Sequence, residues 1–279
     1  MLSNNTFSQN SGQYGGVFYA RFQNINVCNS YFINNTARYY GGVFYSYKAN
    51  IRIDRSNFVN STARSRGGVL YATDTNASMD TSVFTHNTAN RGGVFYVFRT
   101  ILMIYIGTFT HNLGKTSGGV VYIDFDSNAI ISSSSFQHNS AHSYGGVVYV
   151  DYNVNTSINN SNFYHNYATL YHGGVVSALH NTNINISYCN FTLSYAGDRG
   201  GALFAYYANT NIYSSNFTHN IASTFGGAVF ALYANTLVYG SNFFKNNATY
   251  IGGGALSLGC SVIEAVSYTH LTLPTIYSV

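Results

Sequence analysis

The chain has 279 residues, of which 7% are charged, with a formal net charge of +4; aromatic residues make up 17%, and tyrosine alone contributes 27. Charge this sparse argues against a phosphate-backbone binder, which needs grouped Lys and Arg, so no nucleic-acid partner is expected. Val, Ile, Tyr, Phe and Thr dominate over Glu, Lys and Gln, a bias toward strand rather than helix.

Met1 is followed at once by LSNNTFSQN, which is already a copy of a phrase that recurs to the other end. No basic-then-apolar leader precedes it, and no apolar run reaches transmembrane length. We therefore read residues 1–264 as a single repeat array, a fragment that starts internally and lacks a cap over its terminal coils. The phrase is Ser-x-Phe-x-x-Asn-x-Ala, a short polar stretch, then Gly-Gly-Val and apolar residues. Its phenylalanines run from Phe7 through Phe109, Phe136 and Phe163 to Phe243. Its Gly pairs begin at Gly15, Gly41 and Gly67 and continue to a Gly triplet at Gly252. The spacing is about 25–28 residues, and a fixed period in that range signals a solenoid.

Within one unit the first residue after the Gly pair is Val or Ala, the second is Phe, Leu or Val, and the third is Tyr in the first six units. The fourth is small or apolar and the fifth is mixed, from Arg21 to Asp151. Strand side chains alternate faces, so the second and fourth positions are expected inside. The first, third and fifth then face out, with tyrosines as an external ladder. A second strand carries apolar residues seven and five positions before Phe, as in Ile51 and Ile53. A small residue, usually Ser, then marks a bend, and a third strand takes Phe inward. The Asn column, which includes Asn112, Asn139 and Asn166, is expected to stack at ~4.8 Å and bond amide to amide. Ala two residues later suits a tight inward corner, and the Gly pair suits a turn that needs φ > 0 or a close backbone approach.

Three strands and three corners in roughly 26 residues describe an all-β, right-handed parallel β-helix of about ten coils. At ~4.8 Å per coil such a rod is about 45–50 Å long. A leucine-rich repeat is the rival, since Val27-x-x-Ser30-x-Phe32-x-x-Asn35-x-Ala37 has its spacing. Its leucines are mostly replaced, however, and the other half of the unit reads as strand.

The paired signals Phe-x-x-Asn and Gly-Gly-[Val/Ala]-[Phe/Leu/Val] resemble the repeats of polymorphic outer membrane proteins. Phe84-Thr85-His86-Asn87 with Gly92-Gly93-Val94, and Phe217-Thr218-His219-Asn220 with Gly226-Gly227-Ala228, carry the likeness over residues 4–258. The resemblance implies a pectin-lyase-like superfamily fold, surface display and adhesion. Val usually replaces the family's Ala after Gly-Gly. The expected function is a non-enzymatic extracellular or cell-surface repeat protein, adhesin-like, with a host-surface or glycan ligand and no cofactor. The alternative is a carbohydrate-active enzyme, a polysaccharide lyase or glycosidase of the same fold.

Two groups of residues are candidates for chemistry. Two positions after Phe stand His86, His111, His138 and His165 in four consecutive coils, facing out, as candidate metal ligands or a pH-responsive imidazole ladder. The bland reading, exposed polar residues in a turn-flanking column, is favoured because a metal needs converging ligands. Asp124 and Asp151 hold one position in adjacent coils with Asp126 near, a candidate for the paired carboxylates of a glycosidase or a calcium site. Without a recognisable partner base they are expected to be solvated turn residues.

Cys28, Cys189 and Cys260 make neither a CxxC pair nor a disulfide framework and read as isolated small residues. Ten Asn-x-Ser/Thr sequons, among them Asn34, Asn155 and Asn216, suit a secreted protein. After Leu258 the repeat stops. Ala265–Ile276, AVSYTHLTLPTI, closely resembles the translation of a transposase adaptor, so residues 265–279 are expected to be a non-native tail.

Overall fold

The computed structural model describes residues 2–266, and the chain there is all-β. It is a parallel solenoid of ten coils, here numbered by their phenylalanines from Phe7 to Phe243. The expected tail lies outside the described residues except for Ala265 and Val266. Those two sit in the strand Val262–Val266, paired with Val238 and Tyr239.

Three sheets run along the rod. Sheet A has 19 strands and takes two segments from most coils, such as Phe44–Tyr47 and Ile51–Asp54. Sheets B and C have ten strands each, B carrying the phenylalanines and C the alanine column. Two expectations change here. The strands on either side of the mixed fifth position belong to one sheet, kinked by a residue at positive φ, such as Lys48 or Arg99. The alanine column is a third sheet rather than a corner: Ala37 and Ala63 point inward from short strands and pack with Ala89.

Every coil stacks in register. Phe136 pairs with Phe109 and Phe163, and its ring lies 4.7 and 4.8 Å from theirs, stacked and fully buried. Such a stack adds a geometric preference to the large apolar area it buries. The core between the sheets is filled by this column, by the inward residues of sheet A, and by the Val or Ala after each Gly pair.

The valines among them correct the strand parity. Val43, Val69 and Val120 were expected outside and are fully buried. The strand begins only at the following residue, so strict alternation does not yet apply. The Val sits in the bend, and the Val69 carbonyl accepts both the Val43 and Phe44 amides. The two glycines act differently. Gly41 adopts φ 65°, while a Cβ on Gly42 would meet the carbonyl of Gly68 in the next coil. In the last unit the positive φ falls on Gly253, one residue later than the start of the triplet.

The buried polar columns are bonded along the axis. The Asn139 Oδ1 accepts the Asn112 backbone amide at 3.0 Å and its Nδ2 at 2.9 Å, while the Asn139 Nδ2 donates to the Phe109 carbonyl and to the Asn166 Oδ1. The turn residue itself is the one before each Asn, at φ 53–56° in Asn34, His86, His111, His138 and His165, and in Asn60, which precedes Ser61. A serine column does the same at the bend: the Ser56 hydroxyl accepts the Ser30 amide and donates to the Asp54 carbonyl.

Candidate functional site

The repeat is interrupted once on its sheet A face. Gly-pair spacing widens from 25–26 residues to 27–28 between Gly118 and Gly200. In the coils that hold Asp124, Asp151 and Leu179 the kink contains one extra residue. Two consecutive residues there take positive φ: Phe125 and Asp126, Tyr152 and Asn153, His180 and Asn181. The register shift between Leu179 and Thr182 records the insertion. Phe125, Tyr152 and His180 stack outward at 4.8 and 5.1 Å, forming a ridge. Insertions confined to one face of a solenoid are where binding sites concentrate.

Beneath this ridge lie two of the candidate carboxylates. Asp124 and Asp151 are paired in register on adjacent strands and only 9% and 6% exposed. They are therefore not solvated turn residues, which corrects the expectation. The Tyr96 hydroxyl donates to the Asp124 Oδ2 at 2.8 Å, and the Tyr149 hydroxyl to the Asp151 Oδ2 at 3.0 Å. His180 Nδ1 lies 2.7 Å from the Asp151 Oδ1, which also accepts the Tyr152 amide. Burial raises the Asp124 carboxyl above the usual range, with Asp151 adding to it; the Tyr96 hydroxyl and the Phe125 amide oppose the rise. Asp126 stands apart: it is exposed and accepts the Asn153 amide side chain at 3.3 Å.

The tyrosine ladder does face away from the core, but only its start is open. Tyr19 is 55% exposed, while Tyr96, Tyr122 and Tyr149 are buried. The residues just before each Gly pair fold over the column. Tyr40 stacks on Tyr71 at 4.8 Å, Arg66 sits over Tyr96 at 4.7 Å and Arg91 over Tyr122 at 5.6 Å. Rings within the ladder are 4.5–5.4 Å apart. Burial pushes the Tyr122 hydroxyl up to about 12 and raises Tyr96 and Tyr149 further, so all three remain protonated donors. The column therefore presents edges and covered faces rather than an open stacking platform.

The histidine column stands outward at the corner between sheets B and C. Its rings are 5.0 Å apart from His86 to His111, 5.1 Å to His138 and 5.0 Å on to His165. Rings stacked one strand apart, with His165 tilted 56° to His138, form a file rather than converging on a point. No group of three or more His, Cys, Asp or Glu that could hold a metal ion occurs among the described residues. Partial burial, and then His165 and His111, lower the His138 pKa below the ordinary imidazole value.

No protein-family model matches this chain, and neither does any curated protein or solved structure. Among the described residues no helix is long and apolar enough to cross a membrane. Two free cysteines, Cys28 and Cys189, are buried and Cys260 is exposed. Burial raises the Cys189 thiol to about 11, so it is an unreactive packing residue.

Sequence reasoning brought Asp124 and Asp151 together but missed His180, Tyr96, Tyr149 and the covering Arg66. The widened Gly-pair spacing was the available signal for His180. Nothing in the spacing indicates that Tyr96 reaches one coil forward to Asp124.

Proposed function

We propose that the chain is a non-enzymatic, adhesin-like repeat protein of the extracellular space or cell surface, built on a right-handed pectin-lyase-like β-helix of the polymorphic outer membrane protein kind. It holds a host-surface or glycan ligand on its side faces. The observation that carries this reading is the state of the paired carboxylates. Each is more than nine-tenths covered and already engaged by a tyrosine hydroxyl, so neither is poised to meet a substrate. The regular outer columns support it, as do sequon asparagines on the exterior such as Asn34, Asn155 and Asn216.

A carbohydrate-active enzyme is the second reading. The insertion over Asp124 and Asp151, with His180 bonded to Asp151 and the Asp124 carboxyl raised, favours it. Beads coated with the protein, incubated with surfaces bearing neutral and acidic glycans and assayed for products with and without calcium, separate the two. Adhesion without products, unchanged in Asp124→Asn, supports the proposal. Products lost in Asp124→Asn or Asp151→Asn would overturn it.

A further inference from the structure

The charges are segregated around the coil. Asp54, Asp74, Asp80, Asp124, Asp126 and Asp151 all lie in sheet A or its kink, and Asp198 follows sheet C only in the eighth coil. Among the described residues, sheets B and C of coils two to seven carry no carboxylate and instead display two basic columns. One is the corner column of His86, His111, His138 and His165. The other follows the inward small residues: Arg38, Arg64, Lys115 and His142, all exposed, with Asn90 in the coil between Arg64 and Lys115. Backbone bonds place these one above another, Arg64 N donating to the Ala37 carbonyl and His142 N to the Gly114 carbonyl, both at 3.2 Å. Between the columns runs an outward row of Thr36, Thr62, Thr88 and Ser140, broken by Leu113 in the coil between Thr88 and Ser140.

We propose that this face binds a linear acidic polysaccharide bearing a carboxylate or sulfate on successive sugars, laid along the rod axis over the hydroxyl row. The proposal rests on the adhesive reading and names its ligand class. Charge spacing selects the polymer. Taken together, the two columns place a basic or protonatable side chain in every coil from the second to the seventh, about 4.8 Å apart along the axis, whereas duplex DNA carries a charge every ~1.7 Å. A hydroxyl-bearing strip between the cations suits a hydroxyl-rich chain with one anionic group per monomer. The charged or titratable groups around the histidine column are Tyr164, 5.8 Å from both His138 and His165, Tyr167 in the adjoining row, and Lys115 and His142 across that row. Protonating the imidazoles therefore adds like charge with no carboxylate to absorb it, and a bound polyanion supplies the missing counter-charge.

The test is retention of the protein on dextran sulfate and on polygalacturonate, with neutral dextran as blank, at pH 7 and pH 5. Replacing Arg38, Arg64 and Lys115 together by Gln should weaken retention roughly tenfold at pH 7. Replacing Arg21, Lys48 and Arg52 by Gln removes the same charge from the sheet A side and should change it within about twofold. Retention should strengthen at pH 5. That gain should shrink when the four corner histidines are replaced by Asn, the residue this corner already holds at Asn34 and Asn60. Equal losses in both triple variants, or tighter retention on duplex DNA than on either polysaccharide, would overturn the assignment. Retention confined to neutral glycans overturns the basic face alone, and failure to hold any carbohydrate overturns the adhesive reading with it.

Discussion

The asparagine column makes a sharp energetic prediction at Asn139. Its amide is fully buried and makes four bonds, accepting two from Asn112 and donating to the Phe109 carbonyl and the Asn166 Oδ1. Asn139→Ala leaves the Asn112 backbone amide and one Asn112 side-chain hydrogen buried without an acceptor. Each such orphan costs about 1–3 kcal/mol, so the variant should lose about 2–6 kcal/mol. The chain contains the reverse case. At Ser61 and Ser194 the column is interrupted, and both hydroxyls are buried without a partner. Ser61→Asn would supply an Oδ1 toward Asn35 and an Nδ2 toward the Phe32 carbonyl, as Asn87 does toward Phe58. It should gain about 1 kcal/mol. Urea unfolding followed by far-UV circular dichroism measures both variants against the parent chain. If Asn139→Ala costs under about 1 kcal/mol, the amide column does not hold the coils together and the reasoning fails.

Other outcomes follow from the same packing. Phe136→Ala should cost about 3–5 kcal/mol in unfolding experiments. Tyr149→Ala should cost more than about 2 kcal/mol, because the ring is buried and its hydroxyl holds Asp151, whereas Tyr19→Ala at the open start of the same column should cost under about 1 kcal/mol. His172 stacks on Phe204 at 4.2 Å, and burial lowers its imidazole to about 4, against ~6.5 in the unfolded chain; Asp198 opposes that shift. Since the unfolded chain takes up the proton first, this contribution is intact above about pH 6.5 and is lost as pH falls toward 4, by up to about 3 kcal/mol. Thermal unfolding across that range should show the loss. His172→Phe should flatten it, since Phe225 and Tyr144 already occupy that column.

The period, the in-register phenylalanines and the amide ladder were legible because each is a repeated demand on one column. What was not legible depends on how columns meet. Val43 is buried because the bend after Gly42 suspends alternation, and a binary pattern cannot show where a strand begins. The third sheet was hidden because its strands are short, Thr62–Ala63 for instance, and small inward alanines read as corner residues. Asp124 and Asp151 looked solvated because groups that engage them come from other coils, Tyr96 from the coil before Asp124 and His180 from the coil after Asp151. His180 reaches Asp151 only because an inserted residue turns the kink outward. The irregular stretch of sheet A was thus the least predictable and is the part closest to candidate chemistry.

The most direct test of the account is the chain length of an acidic polysaccharide held by the protein. Polygalacturonate incubated with the protein, with and without calcium, and then released in high salt should elute from a sizing column at its original length after being retained. Shortened polymer, with shortening abolished by Asp151→Asn, would contradict the account and identify the carboxylates under the aromatic ridge as catalytic.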